Sequence, residues 1–280
     1  MKSVLVKKAS GLEEPFSEQK LRNSLHKIHL PEDVINDIIF RVNRQLYDGI
    51  TTRKIYKLAF NFLKRHRRTF ASRYHLKRAL IDLGPDGFLF ELLVAEIMAA
   101  DGFSVKVGQT VQGHCVSHEV DVVAVLDQRH AFVECKLHQR DAIKSDVKVA
   151  LYTYARFQDI LRKIQEDKPS TSAHATYESW IVTNTSFSTD AVQYAECMGM
   201  KVLSFNYPEN RNLSTLIEEF SLYPITALTT LSAFSRKQLL SQRIILCRDL
   251  LLDYSLLQQA GVSPEASGRV IEEMKLLCRR

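Results

Sequence analysis

Two neighbouring segments constrain this chain more than any other feature: Val120-Asp121-Val122-Val123-Ala124-Val125-Leu126 and Ala131-Phe132-Val133-Glu134-Cys135-Lys136. Both are rich in β-branched and apolar residues, and the polar stretch Asp127, Gln128, Arg129 and His130 between them has the character of a turn, so they form a hairpin. Side chains alternate along a strand, which gives Glu134 and Lys136 one face and Cys135 the other. Pairing Leu126 with Ala131 across the turn sets Asp121 opposite Lys136, with Glu134 one diagonal step along the same face. Two carboxylates and an ammonium then converge.

Two oxygen ligands suit Mg²⁺ or Mn²⁺, hard ions that keep several waters and bind through one or two carboxylates plus substrate phosphates. Such an ion polarises a phosphodiester and helps generate hydroxide, while a nearby lysine positions water or stabilises charge. The chemistry is metal-assisted phosphodiester hydrolysis. A lone Glu-x-Lys has a plainer explanation, an amphipathic hairpin with a charged outer face, so the flanking sequence decides.

Upstream, Gly84-Pro85-Asp86-Gly87 precedes Phe88 to Met98, a helical apolar pattern carrying Glu91, and then Ala100-Asp101-Gly102 and a short strand from Phe103 to Val107. Downstream, a helix-like stretch from Asp146 to Gln165 leads to the buried-strand pattern Ser179 to Asn184. A helix opening at Phe187-Ser188-Thr189-Asp190-Ala191, Gly199, and the strand Lys201 to Phe205 follow. The order is α-β-β-β-α-β-α-β.

With Phe90-Glu91 on the first helix, Asp121 in a strand and Glu134-Cys135-Lys136 on the next, the stretch from about Gly84 to Phe205 resembles the Mrr-like branch of the PD-(D/E)xK nuclease superfamily. The Thr183-Asn184, Phe187-Ser188 and helix-Gly199-strand sequence is similar to that family's closing segment. The resemblance implies that Asp121 and Glu134 bind the metal, Lys136 assists the attacking water, and Glu91 holds the metal or its water.

The N-terminal segment has a different character. A small strand from Val4 leads through Ser10-Gly11 into a helix for which Ser17 is the N-cap, with Lys20 in the first turn. Lysines around a turn and a helix start make a cationic pocket, where free backbone N–H groups also favour phosphate. Helical stretches at Pro31 to Tyr47, Thr52 to Arg65 and Thr69 to Leu83 complete the block. Val6, Lys8, Gly11, Glu14-Pro15-Phe16, Lys20-Leu21 and Arg73-Tyr74 leading to Leu76 and Ala79 give it a resemblance, from about Lys2 to Leu83, to the ATP-cone, a nucleotide-sensing domain. That family carries an arginine directly after the first lysine, a place taken here by Ala9, with Lys7 available to compensate. The resemblance implies an ATP or dATP effector near Val6, Lys7, Lys8 and Lys20.

Charge follows the same division. Through Asp82 there are 18 Lys and Arg against 8 Asp and Glu, and the remainder holds 20 against 24. The run Lys64-Arg65-His66-Arg67-Arg68 is the densest, either a DNA-phosphate contact or a solvated helix end. The chain of 280 residues, 45% hydrophobic, has enough material for two or three domains. No stretch has the apolar length of a membrane span and no secretory region follows Met1-Lys2-Ser3, so a cytoplasmic location with no membrane partner is expected. The five cysteines are scattered, as structural thiols would be, and the His114-Cys115 and His118 group is a polar loop rather than a zinc site.

Beyond Tyr207-Pro208 the composition becomes leucine-rich, with helical spacing over Thr226 to Phe234, Arg236 to Ser241, Ile244 to Leu257 and Pro264 to Leu277. The pair around Gln242 resembles a degenerate helix-hairpin-helix without its hairpin glycine, and leucine stripes of this kind more often pack a core or a dimer than touch DNA.

The expected fold is therefore α/β (α+β): an ATP-cone-like nucleotide-binding domain at residues 1–83, a restriction-endonuclease-like α/β sandwich with a mixed sheet at 84–207, and a helical C-terminal domain at 208–280. The expected function is metal-dependent DNA endonuclease of restriction type, with ATP or dATP as effector rather than fuel, since no P-loop is present. A homodimer would suit double-strand cleavage. The rival reading is a nucleotide-responsive DNA-binding regulator whose nuclease-like domain does not cut. Cleavage of RNA or of modified DNA stays open too, because no visible feature reads bases or methyl groups.

Overall fold

The computed structural model describes residues 4–8, 11–26, 28, 30–66, 68–85, 87–167 and 175–278. Lys2, Ala9, Ser10, Asp86, Arg67 of the basic run and the loop at 168–173 lie outside the described residues, as does the Arg68 side chain. Among the described residues no helix is long and apolar enough to cross a membrane.

The chain opens with β1 (Leu5–Lys7), β2 (Glu13–Pro15), α1 (Glu18–His26), α2 (Glu32–Asn43), β3 (Ile50–Thr51), α3 (Thr52–His66) and α4 (Arg68–Ile81). The three short strands form one sheet in the order β2-β1-β3. Helix α2 shows why the block closes on itself: Val34, Ile35, Ile38, Ile39 and Val42 fall on one helical face and all are buried. They share a core with Val6, Leu25, Ile50, Ala59 and Leu63. Sequence periodicity located the helices but not β2 or β3, which are too short to carry an alternating pattern.

The central part runs α5 (Phe88–Ala100), β4 (Ser104–Gln112), β5 (Ser117–Leu126), β6 (Arg129–Lys136), β7 (Lys144–Ser145), α6 (Val147–Asp167), β8 (Thr176–Thr183), β9 (Ser186–Phe187), α7 (Thr189–Cys197) and β10 (Lys201–Leu203). The five-stranded sheet has the order β10-β8-β6-β5-β4. Strands β4, β5 and β6 pair antiparallel, whereas β6, β8 and β10 are parallel. Parallel neighbours require a crossover, which α6 and α7 supply. Helix α5 is apolar on most of its circumference because it is covered on most sides, and it packs with Val122, Ala124, Ala131 and Val133. Helix α6 covers the opposite face, where Phe157 and Ile160 meet Val120 and Phe132. The result is a mixed sheet between helices, the α/β sandwich expected. The two-residue pair β7 and β9 was not legible from the sequence.

The C-terminal helices are α8 (Leu213–Glu219), α9 (Ala233–Ser241), α10 (Cys247–Leu252), α11 (Ser255–Gln259) and α12 (Pro264–Leu277). Their leucines join the α5 side of the sheet in one buried cluster that includes Leu93, Leu216, Leu250 and Val270. Two expected helices are interrupted. Over Thr226 to Phe234 only a short 3₁₀ turn forms at Ile225–Ala227, because the Glu273 carboxylate on α12 captures the backbone N–H groups of Thr229 (3.0 Å) and Thr230 (2.9 Å). The helix restarts at Ala233 with Ser232 as its N-cap. The stretch Ile244 to Leu257 divides at Asp253, whose backbone is extended.

Candidate active site

The site is built on the β5–β6 hairpin, and its register differs from the expected one. Leu126 pairs with Arg129, Ala124 with Ala131 and Val122 with Val133. The loop is therefore two residues, Asp127 and Gln128, with Asp127 in the left-handed region at φ 52°. The other two residues assigned to the turn belong to β6 because they have partners across the sheet. Arg129 forms an ion pair with Glu178 at 3.1 Å, and the His130 ring stacks on Tyr177 with centroids 5.1 Å apart. A shift of two residues leaves every side chain on its original face. What changes is the partner: carried one step on, this register sets Asp121 opposite Glu134, and Lys136 takes the diagonal position.

Asp121 also marks a change of face. Val107 and Val122 pack toward α5, whereas Val111 and Val120 pack toward α6. The β4–β5 pairing skips Asp121 and the residue across from it, Gly108, which adopts φ 61°. Only glycine takes that conformation without strain, and the twist leaves Asp121 between the two packed layers. Its Oδ2 accepts a hydrogen bond from the Cys135 backbone N–H at 2.7 Å.

Glu134 lies on the α6 side, where Arg156 Nη1 donates to its Oε2 at 2.6 Å. The pair is mostly shielded, with side-chain exposures of 15% for Arg156 and 20% for Glu134. Burial raises the Asp121 carboxyl above its usual value, an effect offset in part by the Cys135 N–H and by Arg156. Glu134 is raised by burial and then by the charge of Asp121, again with Arg156 and Lys136 opposing. The two acids thus repel one another within a cluster that cations counterbalance. Burial also pushes the Cys135 thiol well above its ordinary range, and the nearby acids add to that, so it is an inert thiol rather than a nucleophile.

Lys136 ends the strand at an exposed position and its carbonyl accepts from Thr183 Oγ1 at 2.8 Å. Just beyond, Asn184 grips His138 through both backbone groups: Asn184 Oδ1 accepts from His138 N at 2.8 Å and Nδ2 donates to His138 O at 2.9 Å. His138 Nε2 is 2.9 Å from Ser145 Oγ. These bonds tie the end of the lysine strand to its neighbour. Glu91 rises from α5, on the other side of the sheet, where its charge acts on the Cys135 thiol. The structure therefore gathers Asp121, Glu134 and Lys136 with Arg156, whereas Glu91 stays on the α5 side of the sheet beside Cys135.

Arg156 escaped the sequence reading because an arginine on an amphipathic helix is indistinguishable from a solvated one until the helix is docked. The residues His114, Cys115 and His118 instead anchor the loop before β5 to α6. His118 Nε2 is 2.8 Å from Asp159 Oδ2, the Cys115 N–H donates to Asp159 Oδ1 at 2.9 Å, and His114 Nδ1 is 2.8 Å from Glu166. The donors from His118, Cys115 and Val116 hold the Asp159 carboxyl well below the usual carboxylate range. Among the described residues no cluster of three or more His, Cys, Asp or Glu side chains is arranged to hold a metal. An ion at this hairpin would rest on two carboxylates, with water or substrate oxygens completing its shell, which is the mode of Mg²⁺. The donor chemistry fits: two partly buried oxygen acids, each raised by burial and one by the other, with cations already drawn to them.

In the N-terminal block, Lys8 and Lys20 converge on one carboxylate, Glu14, at 2.7 and 2.9 Å. The Lys20 N–H reaches Ser17 Oγ at 3.3 Å, the expected N-cap. Val6 is buried, and Lys7 is exposed on the opposite side of the same strand.

Residues 85–206 match a family model described as Restriction endonuclease, and residues 223–278 match one described as AF1548-like, C-terminal. A curated protein of Archaeoglobus fulgidus, described as uncharacterized, is 35% identical over 183 residues, which is 65% of this chain and 98% of that protein. A crystal structure of a protein of unknown function, AF1548, aligns at 34% identity with a TM-score of 0.54, over 69% of this chain and 98% of that one. The MspJI restriction endonuclease bound to a 27-mer oligonucleotide aligns at 14% identity and a TM-score of 0.32, over 72% of this chain and 39% of that one, too slight a likeness to bear on function. The chain belongs to the AF1548-like family, with a restriction endonuclease domain over residues 85–206.

Proposed function

We propose that this protein is a divalent-metal-dependent DNA endonuclease whose metal is held by Asp121 and Glu134. The observation that carries this reading is the pairing of two partly buried carboxylates on adjacent strands, kept in place by the Cys135 N–H and counterbalanced by Arg156. Mg²⁺ or Mn²⁺, when bound, supplies Lewis-acid polarisation of the phosphodiester and a more acidic water. The chain's own residues do the rest. The Cys135 N–H fixes the Asp121 rotamer, and burial strengthens the field of both acids by excluding water. The Lys136 ammonium, steadied by the Thr183 and Asn184 contacts to its strand end, balances charge at the attacked phosphate, and Glu91 supports the site from α5. Incubating plasmid with wild type and Asp121→Ala, with and without Mg²⁺, tests this. Nicked and linear products from wild type with Mg²⁺ alone are expected; equal cleavage by the variant would overturn it.

The N-terminal block, within a three-part division at 1–83, 84–207 and 208–280, serves in this proposal as a nucleotide-binding regulator. What favours it is the convergence of Lys8 and Lys20 on Glu14 beside the α1 N-terminus, a cationic arrangement that ATP or dATP phosphates would enter by displacing that carboxylate. Titrating ATP and dATP during Mg²⁺-dependent cleavage is the test. Binding that leaves the cleavage rate unchanged would remove the regulatory role.

A further inference from the structure

We propose that Arg156 is a working residue of the cleavage site, a resident cation that occupies Glu134 until a divalent ion arrives and then serves a phosphate oxygen of the bound strand. This rests on the reading of Asp121 and Glu134 as metal ligands.

Three observations converge on Arg156. Its Nη1 contacts Glu134 Oε2 at 2.6 Å, so the guanidinium takes up one of the two oxygens through which an incoming ion could bind. Its charge opposes the burial that raises both Asp121 and Glu134, so it acts on the two acids together. Finally, the guanidinium lies 5.3 Å from the ring centre of Tyr152, one helical turn earlier on α6, and Tyr152 is 62% exposed. The arginine therefore bridges a shielded carboxylate and an open aromatic surface.

The chemistry of exchange follows. A divalent ion and a guanidinium cannot both contact Glu134 without strong repulsion, because two cations in a partly buried site are poorly screened. Entry of the ion therefore displaces Arg156. The planar, permanently charged guanidinium suits bidentate contact with phosphate, and the Tyr152 ring face gives it a surface to remain on at the mouth of the site. Before the ion binds, the same arginine relieves repulsion between the two acids.

The test reads metal and DNA binding separately, on the full chain. Mn²⁺ is titrated calorimetrically without DNA into wild type, Arg156→Ala, Arg156→Gln and Asp121→Asn. A short DNA duplex is then titrated in Ca²⁺. Losing the competing cation should tighten Mn²⁺ binding about tenfold in both Arg156 variants and weaken DNA binding about tenfold. Arg156→Gln keeps most of the buried stem, so it decides the matter if Arg156→Ala melts early. Unchanged or weaker Mn²⁺ binding by the Arg156 variants, alongside loss of binding in Asp121→Asn, would overturn the arginine proposal alone. Wild-type Mn²⁺ affinity in Asp121→Asn would instead overturn the metal assignment beneath it.

Discussion

The Cys135 backbone N–H donates to Asp121 Oδ2 at 2.7 Å, so the strand that carries Glu134 and Lys136 also orients the acid opposite them. One β-pairing thus presents the whole acidic cluster, and small errors in that pairing would disperse it. Asp121→Asn keeps an oxygen for the Cys135 bond while removing a negative charge. Cleavage should fall by about a hundredfold or more, with the melting temperature nearly unchanged. A variant that cuts at the wild-type rate would show that Asp121 is structural only.

Gly113 has no room for a side chain. A Cβ there would lie 2.1 Å from Asp159 Oδ2 and 2.7 Å from the Val116 carbonyl oxygen. Gly113→Ala must push Asp159 away from His118 and Cys115 and loosen the loop that leads into β5. We expect a loss of about 1–3 kcal/mol in urea unfolding. A coincident unfolding curve would show that the loop yields without cost.

Glu273 is 2% exposed and accepts from Ser72 Oγ at 2.9 Å as well as from the backbone and hydroxyl groups of Thr229 and Thr230. It joins α4, the loop before α9 and α12 through one side chain. Glu273→Ala strands several buried donors and should cost about 3 kcal/mol or more, whereas Glu273→Gln, which keeps one acceptor oxygen, should cost less. Equal stability of the two variants would contradict this account.

His75 is half-buried between α3 and its own helix, its Nδ1 2.9 Å from the Tyr56 hydroxyl, and desolvation there lowers its pKa from 6.5 to about 4. The folded state binds this proton less readily than the unfolded chain does. The resulting stability is complete above pH 6.5 and is lost as the pH falls from there toward about 4. The loss over that interval is on the order of 3 kcal/mol. Unfolding measured at pH 7 and pH 4.5 should show a smaller drop for His75→Gln than for wild type; parallel drops would place the acid sensitivity elsewhere.

Much of the fold is legible in the sequence. The β-branched, apolar richness of Val120 to Leu126 specified a strand, and the apolar runs at Phe88 to Met98 and Ser179 to Thr183 required a covered helix and a covered strand. The helix boundary at Ser17 could be placed closely because the capping hydrogen bond is local. The C-terminal helices were harder. Where Glu273 draws Thr229 and Thr230 out of helical geometry, the deciding acceptor lies more than forty residues along the chain.

The candidate site divides along the same line. Residue type and strand periodicity alone put Asp121, Glu134 and Lys136 on one hairpin and kept Glu134 and Lys136 on one face, because a period of two is a property of the backbone. The choice of partner across the hairpin depended on contacts from β8, where Tyr177 and Glu178 drew His130 and Arg129 into the sheet and shortened the turn. The arrival of Arg156 depended on the docking of α6, and the tie between Asn184 and His138 on the parallel alignment of two strands. Local chemistry determined which groups were available; long-range packing decided which of them meet, since only tertiary contact can make one strand register or one helix orientation lower in free energy than its neighbours.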